Sequence, residues 1–177
     1  MSAPSPRPPF AGGVLAGAAG TAAMTVSGRV HRLVVARRRG VRPGEITEIL
    51  DYDDSEHVVV AAAAVVRAAT GLAPRTPAQR RALFLLTHWG YGSAVGVVHA
   101  VLRRGLGEPA AGVTFFVLGQ AMALGLFPVL GDTPVPWRWR RRLLVTSFAQ
   151  HAVYAAAVAG ADAAVGAVRA AAVRSRG

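Results

Sequence analysis

Hydrophobic residues along this chain fall into four long uncharged runs, separated by segments rich in arginine, proline and acidic residues. The clearest run, 82–102, holds 21 residues without a formal charge. At about 1.5 Å per residue, a helix of this length covers the roughly 30 Å of hydrocarbon in a bilayer. The pattern predicts an all-α polytopic membrane protein, with four transmembrane helices in a bundle at about residues 10–30, 82–103, 110–131 and 143–168.

The two ends of the chain differ from these runs. Residues 1–9 contain four prolines and predict a disordered N-terminus, and residues 171–177 form a basic tail. A cleaved signal peptide is the alternative for the first run, because Arg7 precedes it and residues 18–23 include small side chains. The arginines from Arg29 to Arg39 instead resemble a stop-transfer flank, which favours a retained span.

The segment 40–76 predicts a membrane-surface loop with short helices. Ile46, Ile49 and Leu50 recur at the spacing of a short amphipathic helix. Its acidic side chains resemble half of a calcium loop, although Ser55 and Glu56 stand where a ligand and the turn glycine belong. A solvated acidic loop is the favoured interpretation. The carboxylates concerned are Asp51, Asp53, Asp54 and Glu56.

Arginine distribution decides between four and five spans. A fifth span from His57 to Leu72 would bury Arg67 and divide the remaining loop arginines eight against nine. With four spans, loops 37–81 and 132–142 hold 12 arginines, against six in the N-terminus, the 103–107 turn and the residues after 168. Because cytoplasmic loops carry the excess of arginine, we predict four spans with both termini outside the cytoplasm.

Turn chemistry places two boundaries. Thr76, Pro77 and Gln79 supply an N-cap, a proline at N1 and a capping-box partner at N3, which start the second span. The third span closes at Phe127-Pro128. Trp137 and Trp139, which alternate with arginines, indicate an interface belt.

Composition supports the membrane interpretation and excludes several chemistries. The chain is 53% hydrophobic and only 16% charged, against roughly 25% charged in soluble proteins. Its net charge of +11 comes from arginines at the ends of apolar runs, which predicts the lipid bilayer as partner and no nucleic acid. A homo-oligomer or another membrane partner stays open. Without cysteine there is no disulfide or thiolate site. No nucleophile elbow, zinc-protease motif or phosphate loop is present, so we predict no enzyme, cofactor or metal.

Glycines at helical spacing predict close helix packing. Gly13 and Gly17 lie in the first span, and Gly92 and Gly96 form a Gly-x-x-x-Gly step in the second. Such small residues allow two membrane helices to approach closely.

Polar residues within the spans predict a seam. His88 and Tyr91 share a His-x-x-Tyr spacing with His151 and Tyr154, which hints at two copies of a two-helix hairpin. His99 and Asp162 each follow the respective histidine by eleven residues and return to about the same helix face. We therefore predict a two-level seam between spans two and four. The candidate seam residues are His88, Tyr91, His99, Gln120, His151, Tyr154 and Asp162.

Three functions fit such a seam. Ionisable groups at membrane depth usually face the interior and pair, so a structural or accessory role comes first. Proton or small-solute transport is the alternative, because histidine titrates near neutral pH. A haem held between His88 and His151 is a third.

The order of these features resembles the YagU-like family of bacterial inner-membrane proteins, whose biochemical activity is not established. The resemblance covers roughly 82–158. It implies a multi-pass location in the bacterial plasma membrane and adds no reaction. The chain departs from the family at 147–150, where an acidic residue is expected. The matching residues are the histidine-bearing second span, Gly119-Gln120, Phe127-Pro128, Gly131, Thr133-Pro134 and His151.

Overall fold

A computed structural model describes residues 10–45, 54–130 and 135–175, and every regular element in them is helical. Helix α1 is Phe10–Arg39 and α2 is Asp54–Thr70. Helix α3 covers 77–106 as Pro77–Leu85, a π-helical segment Leu86–Tyr91, and Gly92–Leu106. Helix α4, Ala110–Leu130, contains a second π-helical segment at Met122–Leu126. Helix α5 is Arg141–Arg174, and short 3-10 turns lie at Pro43–Glu45 and Pro136–Arg138.

Several predictions fall outside the described residues. They are the disordered N-terminus at 1–9, the amphipathic helix around Ile46, Ile49 and Leu50, the acidic residues Asp51 and Asp53, the 131–134 end of the third span, and the last two residues of the tail.

Among the residues that the structure describes, three helices are long and apolar enough to cross a membrane: α1, α4 and α5. They correspond to the first, third and fourth predicted spans. The second predicted span lies in α3, where the π-helical segment divides the apolar run into two shorter α-helical parts.

Two helix ends differ from the predicted spans. Helix α1 continues nine residues beyond 30 to Arg39, and α5 continues to Arg174, so most of the predicted tail is helical. Arginine is a good helix former, so a helix need not stop where the apolar run stops. At α4 the helix passes through Pro128. The π-helical segment precedes this proline, whose ring would clash with a regular i−4 carbonyl.

The predicted start of α3 is confirmed. The Gln79 backbone N–H donates to Thr76 Oγ1 at 3.1 Å, and the Thr76 N–H donates to Gln79 Oε1 at 3.1 Å. This reciprocal pair satisfies two backbone donors that a helix start otherwise leaves unpaired.

Helix α1 packs along both α3 and α5, while α4 packs against the same two helices from the other side. Contact with α3 depends on glycine. A Cβ on Gly13 would lie 2.7 Å from Val97 Cα, and one on Gly17 would lie 2.5 Å from the carbonyl oxygens of Gly92 and Ser93. These backbones therefore touch without any intervening side chain.

Side chains are distributed with small residues inside and large apolar residues outside. Leu15 is 62% exposed beside Ala16 at 0%, and Val145 is 68% exposed. In the part of the chain whose burial is described, the buried hydrophobic residues are mostly alanines, and the buried polar residues are Thr21, His99, Gln120 and Ser147. Such an arrangement leaves a wide apolar outer surface, which in a monomeric water-soluble protein is rare.

Helix α2, with 17 residues, occupies much of the segment 40–76, for which a surface loop with short helices was predicted. It packs against the first half of α3 and the last part of α4, and Ala61 contacts Ala123 there. Helix α2 ends before Gly71, which has a positive φ of 71° and whose N–H donates to the Arg67 carbonyl at 2.8 Å.

Candidate functional site

Polar side chains of the helical interior form two separate groups. One, which we call the ion-pair cluster, consists of His99, Arg103, Glu108 and Asp162. The other lines a cavity that we call the histidine cavity, because His88 and His151 lie on its wall. The residues of the predicted seam divide between these two places, except Gln120, which belongs to neither.

The ion-pair cluster surrounds the fully buried His99 ring. Its Nδ1 lies 3.3 Å from Asp162 Oδ2, and its Nε2 lies 2.8 Å from Glu108 Oε1. Neither contact has the angle of a hydrogen bond, so two carboxylates lie against the ring nitrogens without a hydrogen bond to either nitrogen. Arg103 Nη1 lies 3.2 Å from the same Asp162 oxygen. The four groups join α3, α5 and the α3–α4 turn.

Glu108 is positioned by the start of α4. Its Oε2 accepts a hydrogen bond of 3.2 Å from the Gly112 N–H, in the first turn of that helix. A carboxylate is stabilised at this place by the unpaired N–H groups and the positive end of the helix dipole. Its other oxygen is thereby held toward His99.

Glu108 and Arg103 were not predicted as members of this cluster. Arg103 was counted among the arginines of the 103–107 turn, and Glu108 directly follows that turn. An acidic residue just before a helix start, nine residues after His99, was no distinctive signal. His99 and Asp162, which the eleven-residue spacing placed on one level, do lie together.

An apolar layer separates the two polar groups. It consists of Ala16, Phe115, Ala155 and Val158. The Phe115 ring lies edge-on to His99 with centroids 5.3 Å apart, and nearly parallel to Tyr154 with centroids 5.7 Å apart. Phe115 is 3% exposed. The predicted seam is therefore interrupted at Phe115.

The histidine cavity has a volume of about 100 Å³ and receives side chains from α1, α3, α4 and α5. Its apolar wall includes Val95, Phe115, Phe116 and Ala155. The π-helical segment of α3 supplies Thr87, His88 and Tyr91, and such segments occur frequently at functional sites. The polar wall residues are Thr21, Thr87, His88, Tyr91, His151 and Tyr154.

Hydrogen bonds fix the proton position on both histidines. Thr25 Oγ1 lies 2.7 Å from the Thr21 carbonyl oxygen and 2.9 Å from His88 Nε2. Because a carbonyl only accepts, the single hydroxyl hydrogen goes to Thr21, and His88 Nε2–H donates to Thr25. By the same reasoning His151 Nδ1–H donates to the Ser147 carbonyl at 2.8 Å.

The remaining predicted seam residues hold neighbouring helices together. Tyr154 OH donates to the Gly92 carbonyl, which joins α5 to α3. Tyr91 OH donates to Met122 Sδ at 3.6 Å. The buried Gln120 donates from Nε2 to Ser147 Oγ at 3.3 Å and does not line the cavity.

The site offers little room for a metal or a haem. No group of three histidine, aspartate or glutamate side chains in the described ranges could hold a metal ion. A cavity of about 100 Å³ is below the roughly 300 Å³ at which ordinary ligand pockets begin, and a porphyrin needs more. The residues present therefore do not fit a haem between His88 and His151.

Comparison with known proteins gave no relative. No family model, no curated protein and no solved structure matches the chain.

Proposed function

We propose that this chain is a multi-pass protein of the bacterial plasma membrane, with four spans in a bundle and a structural or accessory role. The distribution of side chains supports this proposal. Valines and leucines face outward along α1, α4 and α5, whereas alanine, glycine and polar residues face inward. Membrane helices pack in this way, because lipid tails solvate large apolar side chains and small residues let helices approach closely.

The fourth span in this proposal is the apolar part of α3. Its 21 uncharged residues, 82–102, run through the π-helical segment without leaving helical geometry. Helix α3 also packs closely along α1, which is long and apolar enough to span on its own. A helix held against α1 over this length would share its environment.

The structural role rests on the interruption of the polar interior at Phe115. A proton relay needs a chain of polar groups or waters, and the apolar layer offers none between His99 and the histidine cavity. The ion-pair cluster instead joins three parts of the fold, as expected of ionisable groups that pair within a membrane protein.

Proton or small-solute transport is the second candidate, and the histidine cavity is the observation that favours it. A cavity of about 100 Å³ with six polar residues on its wall can hold about three waters. Transport would require Phe115 to move aside, so that the cavity and the ion-pair cluster become continuous.

Reconstituted vesicles separate the two candidates. We expect the pH gradient to decay at the same rate with wild-type protein, with Asp162→Asn and without protein, while Asp162→Asn lowers the unfolding temperature. Glu45→Gln, which changes a carboxylate in an exposed ion pair with Arg42, is the matched control. Faster decay with wild-type protein that Asp162→Asn removes would overturn the structural role in favour of transport.

A further inference from the structure

All six polar side chains on the wall of the histidine cavity donate a hydrogen bond to another atom of the protein. Thr21 donates to the Gly17 carbonyl and Thr87 to the Leu83 carbonyl. His88 and His151 donate to Thr25 and Ser147, and the two tyrosines donate to Met122 and Gly92.

Because these side-chain hydrogens are already used, the wall offers lone pairs to an occupant. A hydroxyl that donates once still has acceptor capacity, and this applies to Thr21, Thr87, Tyr91 and Tyr154. Anions, which only accept hydrogen bonds, find no matching side-chain donor on the described wall of the cavity. The complementary occupant is a small molecule that is rich in hydrogen-bond donors.

Aromatic residues in the wall further restrict the kind of molecule that could bind in the cavity. Tyr91, Phe115, Phe116 and Tyr154 all contribute to the wall. The faces of such rings attract cations, and this attraction is strongest where water is excluded. Lone pairs together with ring faces favour a nitrogen that carries several hydrogens.

The volume of the cavity limits the size of the molecule that can bind in it. A dry cavity of about 150 Å³ holds a benzene molecule, so the histidine cavity, at about 100 Å³, takes only a few heavy atoms. We propose that the histidine cavity binds a small amine of the size of ammonium or methylammonium, held by acceptor oxygens and aromatic faces. This goes beyond the proposed structural role and does not depend on it, since binding requires no passage through the apolar layer.

A substitution at Gly119 would reduce the volume of the cavity with little strain. A Cβ on Gly119 would lie 3.7 Å from His151 Cδ2, an ordinary contact distance. The added methyl group, about as large as a water molecule, would occupy about a third of the cavity. Gly160 is the matched control, because a Cβ there meets nothing within 4 Å and lies outside the cavity.

The test is thermal unfolding of the purified full-length chain in detergent with methylammonium chloride as the probe. We expect a saturable rise in the unfolding temperature that sodium chloride and sodium acetate do not produce at equal ionic strength. Tetraethylammonium chloride, which is too large for the cavity, should also produce none. Gly119→Ala should weaken the apparent affinity for methylammonium about tenfold or more, and Gly160→Ala should leave it unchanged.

A second variant guards against a folding defect in the first. Thr87→Val keeps the shape of the side chain but removes its acceptor oxygen, and should also weaken the response to methylammonium. The proposal is overturned if methylammonium acts no differently from sodium chloride, which would leave the cavity to water alone. It is equally overturned if Gly119→Ala and Thr87→Val both respond as strongly as wild type.

Discussion

The contact between α1 and α3 makes a sharp prediction about Gly17. A Cβ at this position would lie 2.5 Å from two carbonyl oxygens and 2.8 Å from Ser93 Cα, about 0.9 Å short of ordinary contact at 3.4 Å. The clashing atoms belong to the backbone, so no side-chain rotation relieves them. Gly17→Ala therefore forces the two helices apart. Overpacking of this kind costs about 1–3 kcal/mol.

Gly28 on the same helix is the control. A Cβ on Gly28 would meet its nearest atom, Gln150 Nε2, at 4.0 Å. Alanine there gains helix propensity of up to about 1 kcal/mol over glycine with no clash. Gly17→Ala gains the same propensity, so the difference between the two variants isolates the packing cost.

The assay is thermal unfolding followed by circular dichroism in one detergent for both variants. For a chain of this size, about 2 kcal/mol corresponds to a shift of about 4–8 °C. We expect the unfolding temperature of Gly17→Ala to fall by that amount and that of Gly28→Ala to stay level or rise. Equal unfolding temperatures for the two variants would refute the close backbone contact.

Three further predictions concern the polar groups and the start of α3. Asp162→Asn should cost about 3 kcal/mol in the free energy of unfolding, because it removes the carboxylate that Arg103 and the buried His99 share and leaves His99 with Glu108 alone. The exposed Glu45→Gln should cost less than about 1 kcal/mol. Similar losses in the two variants would contradict the burial of the cluster. Phe115→Ala should raise the proton leak of reconstituted vesicles, because it would join the ion-pair cluster to the histidine cavity. Phe148→Ala, which removes a half-exposed aromatic ring from α5, should leave the leak unchanged. An unchanged leak in Phe115→Ala would mean that Phe115 is not the barrier. Thr76→Ala should lower the free energy of unfolding by about 1 kcal/mol and should speed amide hydrogen exchange in the first turn of α3. Protection from exchange equal to that of the wild type would show that the capping box is dispensable.

Sequence patterns predicted the parts of this structure that follow from local chemistry. The capping box at Thr76 depends on residues three positions apart, and the match in level between His99 and Asp162 depends only on helical periodicity. The division of the seam at Phe115 was not predictable in this way. Phe115 lies in an apolar run in which many side chains look equivalent, and only packing decides which one faces inward.

The contribution of α1 to the histidine cavity was not predicted, for a related reason. The polar seam was assigned to α3 and α5 because these helices carry the histidines, but Thr21 and Thr25 of α1 complete the histidine cavity and orient His88. A threonine in a span can satisfy its hydroxyl on the carbonyl four residues earlier, as Thr21 does with Gly17. Such a residue gives no sign in the sequence that it contacts another helix.

The contacts that the α1 glycines make with α3 also determine how closely Thr25 of α1 approaches His88. Gly13 and Gly17 bring α1 against α3 along Gly92 and Gly96, and further along the same face Thr25 meets His88. If the backbones were separated by larger side chains at the glycines, Thr25 Oγ1 would move beyond its 2.9 Å contact with His88 Nε2. The ring would then lose the acceptor that fixes its proton on Nε2, so the close packing of small residues at one end of α1 determines the hydrogen-bond character of the cavity at its middle.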